Sequence, residues 1–242
     1  MQTTRFGLLR HVETQWNCQK RIQGHGDSPL TLSGESEGQA WARLLQTRTW
    51  DRILVSDTGR AVKTAEIINA QLNIQMTTDS RLREQNWGSW TAKTWDQVKT
   101  EASQLMGNYE KEGWNFCPPG GESRSAVLNR GCEALAVAAK RWPQATILVI
   151  THEGIIRCLF YHFYGLQFLP GEPALIKPRH LHWIKHTSNG LQPEEINALS
   201  LPGSASESRT TKMGAPKLNG TENKDYVFTL KEWNCEKDTD DS

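Results

Sequence analysis

The sequence predicts an α/β fold with a mostly parallel sheet, because strand-like and helical segments alternate along the chain. Three apolar runs predict buried strands, and a more polar run predicts a fourth. The predicted strands are Phe6–Arg10, Arg52–Asp57, Thr146–Thr151 and, more weakly, Ile74–Thr78.

The helices are predicted from apolar residues that recur at helical spacing. In the first of them, Ala40, Leu44 and Leu45 share one face. The predicted helices are Ser33–Thr47, Arg60–Leu72, Trp95–Tyr109, Ser123–Trp142 and Ile155–Tyr164. A hairpin is predicted near the end of this region, with strands His180–His186 and Glu194–Ser200 around Ser188-Asn189-Gly190.

The composition is that of a soluble globular protein: 242 residues, 37% hydrophobic and 23% charged. The formal net charge of +1 gives no general electrostatic reason to bind nucleic acid or an anionic membrane. No apolar stretch approaches the roughly 20 residues that span a bilayer, and no apolar signal segment precedes the first strand. The five cysteines form no C-x-x-C pair, so we expect reduced thiols in a cytoplasmic protein.

A folded domain is expected over 1–202 and a disordered tail over 203–242, because the composition changes after Pro202. The tail carries six basic and eight acidic residues, which leaves the rest of the chain at +3. This mildly cationic domain suits an anionic small molecule. Tyr226–Leu230 could add a strand, but a frayed terminus is favoured, so a chain that stops after Pro202 should keep its activity and melting temperature.

Polar side chains follow the three strongest predicted strands. Arg10 and His11 end the first strand, Arg60 begins the helix after the second, and His152 follows the third. Arginine is a fixed fork for phosphate oxygens, histidine is a potential nucleophile, and a helix N-terminus favours an anion. Taken alone, each of these residues is also typical of a solvated surface position or of a core position where the side chain is hydrogen-bonded. Because the carboxyl ends of parallel strands meet in one crevice, their convergence predicts a phosphoryl site.

A loop rich in tryptophan supplies a carboxyl group. Glu84 lies close to Trp87, Trp90 and Trp95, which are expected to wall a pocket. Partial burial there would raise the pKa of Glu84 and allow it to act as an acid, although a solvated loop carboxylate is the alternative. Ser123 is expected to cap the helix that follows.

Together these segments resemble the histidine phosphatase superfamily, also called the phosphoglycerate mutase-like family. The resemblance rests on blocks in the family's order: Arg10-His11-Val12-Glu13-Thr14-Gln15-Trp16-Asn17, Gln23-Gly24, Asp27–Thr31, Ser56-Asp57 with Arg60-Ala61 and Thr64-Ala65, Leu82-Arg83-Glu84 with Gly88-Ser89-Trp90, Gly120–Ser123 and Thr151–Arg157. They cover about residues 5–160, and the hairpin extends the match to about 200.

The resemblance implies a three-layer α/β/α sandwich and phosphoryl transfer through a phosphohistidine on His11. Arg10, Arg60 and His152 would hold the phosphoryl oxygens, and Glu84 would protonate the leaving oxygen and then activate water. The implied binding residues are Asn17, Gln23, Gly24 and Gly154, the last leaving room for His152. No metal and no cofactor is required.

The chain departs from the family at two positions that are often glycine. Val12 follows His11 and adds bulk near the phosphate pocket, and Glu153 follows His152 and adds negative charge. Both departures are expected to affect substrate choice and rate more than the fold.

Competing motifs are absent or incomplete. There is no G-x-x-x-x-G-K-[ST] loop, and Ile156 stands where H-E-x-x-H needs a histidine. His180 and His182 share a strand face as a potential metal pair, but without an apparent third ligand they are interpreted as surface histidines.

The favoured function is therefore a phosphomonoesterase that acts on a small phosphorylated metabolite, as a monomer or homodimer. Family mutases carry a longer basic insertion after the glutamate, whereas Gln85–Cys117 is short, rich in tryptophan and lightly basic. The alternatives are a cofactor-dependent phosphoglycerate mutase and an inactive phosphate-binding module. Sugar phosphates, α-ribazole phosphate and phosphoglycerate derivatives all stay open as substrates.

Overall fold

The computed structural model describes residues 3–101, 109 and 111–201. Its strands form one six-stranded sheet in the order β3-β2-β4-β1-β5-β6. The strands are β1 (Thr4–Arg10), β2 (Arg52–Val55), β3 (Gln75–Thr78), β4 (Thr146–Thr151), β5 (His180–Thr187) and β6 (Gly190–Ser200). The first four are parallel, and β5 and β6 form an antiparallel hairpin at one edge. The predicted tail, with Tyr226–Leu230, lies outside the described residues.

The predicted helices are present as α-helices, and one short α-helix of the described residues was not predicted. They are α1 (Gln15–Cys18), α2 (Leu32–Leu45), α3 (Gly59–Leu72), α4 (Trp95–Glu101), α5 (Arg124–Arg141) and α6 (Glu153–Phe163). Helix α4 matches the predicted helix Trp95–Tyr109 as far as Glu101, and residues 102–108 lie outside the described residues. The unpredicted α1 is one turn held by a capping box between Thr14 and Asn17.

Several boundaries differ from the prediction. The second strand stops at Val55, two residues early, although the amide of Ser56 still donates to the carbonyl of Ile150 on β4 at 3.0 Å. Helix α6 begins at Glu153, two residues early, and His152 is its N-cap. Ser123 caps α5 as expected, accepting a hydrogen bond from the amide of Ala126.

The alternation of side chains along the central strands produces two cores, one on each face of the sheet. Phe6 and Leu8 pack with Ile147 and with apolar residues of α5 and α6. Leu9 and Leu148 point to the other face, where α2 and α3 cover them. The three-layer α/β/α sandwich is therefore confirmed.

The same alternation places the polar residues at the end of β1. Arg10 has the parity of Leu8 and contacts Glu153 at the start of α6, whereas His11, just past the end of β1, contacts Arg60 of α3. The register pairs Arg10 with Thr151, and the amide of His11 donates to the carbonyl of Thr151 at 2.9 Å. Both histidines thus leave the sheet at the same level.

His182 is not a surface residue, contrary to the sequence interpretation. It is 1% exposed, and its Nδ1 accepts a hydrogen bond from the amide of Asn197 at 3.0 Å. Burial lowers the pKa of His182 to about 4, so the ring is neutral and belongs to the core. In the described part of the chain, no helix is both long and apolar enough to cross a membrane.

Candidate active site

His11 is fixed in one tautomer by the main chain. Its Nδ1 lies 2.8 Å from the carbonyl of Val12, and a carbonyl can only accept, so Nδ1 carries the proton and Nε2 keeps its lone pair. The Nε–H group of Arg60 lies 3.3 Å from that Nε2. Burial and the charges of Arg10 and Arg60 lower the pKa of His11 well below 6.5. The ring is therefore neutral, and Nε2 carries the lone pair that accepts from Arg60 and can attack once this hydrogen bond gives way.

His152 faces His11 with the two ring centroids 5.2 Å apart. Arg60 donates from Nη2 to His152 Nδ1 at 3.2 Å, so the imidazole proton is on Nε2, which lies 2.9 Å from the hydroxyl of Ser56. Burial and the charge of Arg60 lower the pKa of His152 well below 6.5. The second histidine is thus a neutral polar group and not a fixed cation.

Arg60 is the charged centre of this cluster, and its residue is 2% exposed. The guanidinium donates to the carbonyl of Gly24 at 2.8 Å, to that of Gly26 at 2.7 Å and to Asp27 at 3.1 Å. Gly24 has a φ of +53°, a conformation that suits glycine. The turn therefore holds the arginine rigidly beside both imidazoles. We call His11, Arg60 and His152 the histidine end of the cavity.

Arg10 differs from Arg60, because it forms an ion pair at the surface. Its Nη1 lies 2.7 Å from Glu153 Oε2, and both side chains are more than a third exposed. Glu153, expected to add negative charge, therefore neutralises one cation of the site. An entering anion has to compete with this carboxylate for Arg10.

Glu84 is held by two backbone amides. Gln85 donates to Oε1 at 2.8 Å and Gly154 donates to Oε2 at 3.2 Å. A Cβ at position 154 would stand 2.1 Å from Oε1 of Glu84. The glycine therefore makes room for this carboxylate, and not for His152 as expected from the sequence.

A further arginine, Arg130, anchors the loop that carries Glu84, and the sequence analysis did not identify it. Arg130 on α5 donates to the carbonyls of Arg81 at 2.7 Å, Arg83 at 2.5 Å and Glu84 at 2.9 Å. Glu122 holds Arg130 through two contacts, at 2.6 and 3.1 Å. The sequence carries no signal for this contact, because the carbonyls are 46 to 49 residues away.

Four of the five candidate catalytic residues and all four candidate binding residues line one cavity of about 490 Å³, whereas His152 is fully buried and is not part of its lining. Asn17 accepts two hydrogen bonds from Thr14 on Oδ1, so its amide nitrogen is the group left for a ligand. Gln23 is buried, with its Oε1 3.5 Å from the hydroxyl of Ser28.

Two residues expected to shape this cavity lie elsewhere. Val12 is 2% exposed and packs its side chain into the core beneath α2 and α3, so it adds no bulk to the pocket. Trp90 is buried behind Trp87, with ring centroids 6.2 Å apart. Only Trp87 and Trp95 of the three expected tryptophans face the cavity.

No group of three or more His, Cys, Asp or Glu within residues 3–101, 109 and 111–201 is arranged to hold a metal ion. The described cysteines, Cys18, Cys117, Cys132 and Cys158, are free thiols. Burial raises the pKa of Cys158 to about 12, so this thiol at the cavity is not a nucleophile.

Comparison with known proteins agrees with this geometry. The sequence profile of the histidine phosphatase superfamily (branch 1) matches residues 6–199. The chain belongs to the histidine phosphatase superfamily.

Members of this superfamily that are similar to the chain differ in activity. The chain is 35% identical over 168 residues to a probable phosphoglycerate mutase, GpmB, from Salmonella choleraesuis, covering 66% of this chain and 74% of the relative. YhfR from Bacillus stearothermophilus superposes with a TM-score of 0.72 at 28% identity, covering 81% of this chain and 98% of YhfR. A mycobacterial glucosyl-3-phosphoglycerate phosphatase superposes with a TM-score of 0.71 at 25% identity, covering 81% and 100%. The superfamily match therefore supports a phosphatase or mutase.

Proposed function

We propose that this chain hydrolyses phosphomonoesters of small metabolites through a phosphohistidine on His11. The observation that carries the proposal is the tautomer of His11, whose Nε2 lone pair lies beside Arg60 at the floor of the cavity. A neutral imidazole next to a fixed guanidinium suits in-line attack on a phosphoryl group.

In the first step, His11 Nε2 forms the N–P bond while the P–O bond to the alcohol breaks. Arg60 and Arg10 balance the charge on the phosphoryl oxygens, and His152, whose Nδ1 accepts from Arg60, positions that guanidinium. Glu84 gives a proton to the leaving oxygen. In the second step, Glu84 takes a proton from water, the water oxygen bonds to phosphorus, and the N–P bond breaks to release phosphate.

Hydrolysis is favoured over isomerisation by the segment that follows Glu84. Its described residues contribute Gln85, Trp87 and Trp95 to the cavity and no cation. Lys93, the first basic residue of the segment, pairs instead with Glu101. The described part of this segment therefore supplies no counterpart, at the cavity, of the basic insertion that family mutases carry after the glutamate.

A phosphoglycerate mutase is the second candidate, since a relative with 35% identity bears that name. Incubation with 3-phosphoglycerate and catalytic 2,3-bisphosphoglycerate separates the two candidates. Net phosphate release faster than isomerisation is the expected result, and the reverse would assign the chain as a mutase.

Acid-quench labelling with a ³²P-phosphoester tests the covalent step. Label is expected in wild type and in His152→Ala, whose turnover should fall 10²–10³-fold, and not in His11→Ala. Label that survives in His11→Ala and disappears in His152→Ala would reverse the two roles. Background-level release of nitrophenol from p-nitrophenyl phosphate by both wild type and His11→Ala would instead indicate a binding module.

A further inference from the structure

The cavity has a second group of cations, away from His11. Arg124 begins α5 and Arg157 lies on α6, and both guanidinium groups line the same cavity as His11. They share one aromatic platform, because the ring of Phe168 lies 4.5 Å from Arg124 Cζ and 5.4 Å from Arg157 Cζ. We call Arg124, Arg157 and Phe168 the arginine end of the cavity.

Neither guanidinium at the arginine end has an acidic partner among the described residues. Arg124 donates to the carbonyl of Gly113 at 2.9 Å and stacks on Phe116. Arg157 lies over the rings of Tyr161 and Phe168 and makes no hydrogen bond to any residue in the described part of the chain. Its five N–H donors are therefore left for a ligand or for water.

Placing two like charges side by side in a partly buried cavity is unfavourable. Burial and the charge of Arg157 lower the pKa of Arg124 to about 10. Other arginines, such as Arg81 and Arg130, pair with carboxylates instead. A bound anion would relieve the repulsion between Arg124 and Arg157 and would accept hydrogen bonds from both.

We propose that Arg124 and Arg157 bind a second anionic group of the substrate, a carboxylate or a phosphate, while its scissile phosphate lies at His11. This assignment rests on the proposed function and narrows it to phosphomonoesters of small anionic alcohols. A cavity of about 490 Å³ accommodates such a molecule between its two ends. The cations come from α5 and α6, not from the short segment after Glu84, so sequence reasoning about that segment did not reveal them.

Two substrate pairs test the proposal. The first compares 3-phosphoglycerate with glycerol 3-phosphate, in which a hydroxymethyl group replaces the carboxylate. The second compares 1,3-propanediol bisphosphate with 3-hydroxypropyl phosphate. In wild type, kcat/KM is expected to be at least tenfold higher for the anionic member of one pair, and that pair identifies the group.

The variants are Arg157→Gln, Arg124→Gln and, as a control on the same helix as Arg124, Arg141→Gln, which lies outside the cavity and is exposed. Both cavity variants should reduce the preference for the anionic ester about tenfold, mainly through KM. Arg141→Gln should leave it unchanged. Arg124 also donates a hydrogen bond to Gly113, so Arg124→Gln could alter the fold. If the melting temperature of Arg124→Gln falls, that variant is left out and Arg157→Gln alone tests the proposal.

Hydrolysis of all four esters with no preference for anionic members, or a preference that survives Arg157→Gln, would overturn this proposal and leave the proposed function standing. Absence of hydrolysis for these esters and for p-nitrophenyl phosphate would overturn both.

Discussion

The two ends of the cavity hold their charges in different ways. At the histidine end, Arg60 is buried and each of its terminal nitrogens has a fixed acceptor, in the loop Gly24–Asp27. At the arginine end, Arg157 rests on aromatic rings and has no carboxylate partner among the described residues. The first arrangement is complete before a ligand arrives, which suits a group common to every substrate. The second is incomplete, which suits the part of the substrate that determines selectivity.

The largest expected effect comes from Arg60→Met, which fills the space and removes the charge. Turnover should fall 10³-fold or more, because the phosphoryl oxygens lose their most rigid donor. The free energy of unfolding should also fall by about 2–4 kcal/mol, since the carbonyls of Gly24 and Gly26 lose a buried donor. Phosphatase assays and urea unfolding measure both effects.

Arg60→Lys is the matched variant, because it keeps the charge without the fork. If it restored full activity, charge alone would explain the histidine end, and the fixed geometry described for Arg60 would be irrelevant.

Arg130→Gln should reduce kcat/KM about tenfold by loosening the loop that carries Glu84. Because Arg130 acts by positioning Glu84, the substitution should lower kcat/KM more for glycerol 3-phosphate than for p-nitrophenyl phosphate, whose leaving group needs little protonation. Glu84→Gln should show a larger difference between the two substrates, and Arg141→Gln should show no difference. An equal loss for both substrates would indicate a purely structural role for Arg130.

The pH dependence of activity distinguishes a buried nucleophile from an exposed one. Protonation of His11 blocks attack, and its pKa lies well below 6.5. An ordinary histidine of pKa about 6.5 would lose about tenfold in neutral fraction at pH 5.5. We therefore expect kcat/KM for p-nitrophenyl phosphate to fall by much less than this tenfold between pH 7 and 5.5, after correction for substrate ionisation. An acid limb centred near 6.5 would contradict the burial of His11.

Glu153→Gln should have the smallest effect, because its ion pair with Arg10 is partly exposed. Removing the carboxylate frees Arg10 for the substrate, so KM should fall about two- to fivefold and inorganic phosphate should inhibit more strongly. Glu194→Gln, which breaks the comparable surface pair with Arg5 at 2.9 Å, is the control. A rise in KM would mean that Glu153 orients Arg10 instead of competing for it.

Sequence patterns predicted the sheet and the histidine end because both follow from local rules. Apolar runs defined β1, β2 and β4, and the residues directly after them had to meet at one edge. Contacts between residues far apart in the sequence leave no such local pattern. Arg130 binds carbonyls far along the chain, and Phe168 lies in a loop without periodicity. His182 was interpreted as a surface residue because its contact with Phe160 is not visible in the sequence. These residues are positioned by contacts between segments that are far apart in the sequence, and composition does not indicate such contacts.

The register that pairs β1 with β4 has a consequence for how catalytic activity is lost on heating or in denaturant. The amide of His11 belongs to the central ladder of the sheet, so the spacing of the two histidines cannot change unless the innermost strands separate. Such strands open only in the global unfolding reaction. Partial fraying at the hairpin edge would leave the distance between the rings intact. Heat or denaturant should therefore abolish catalysis at the same midpoint as it abolishes the fold.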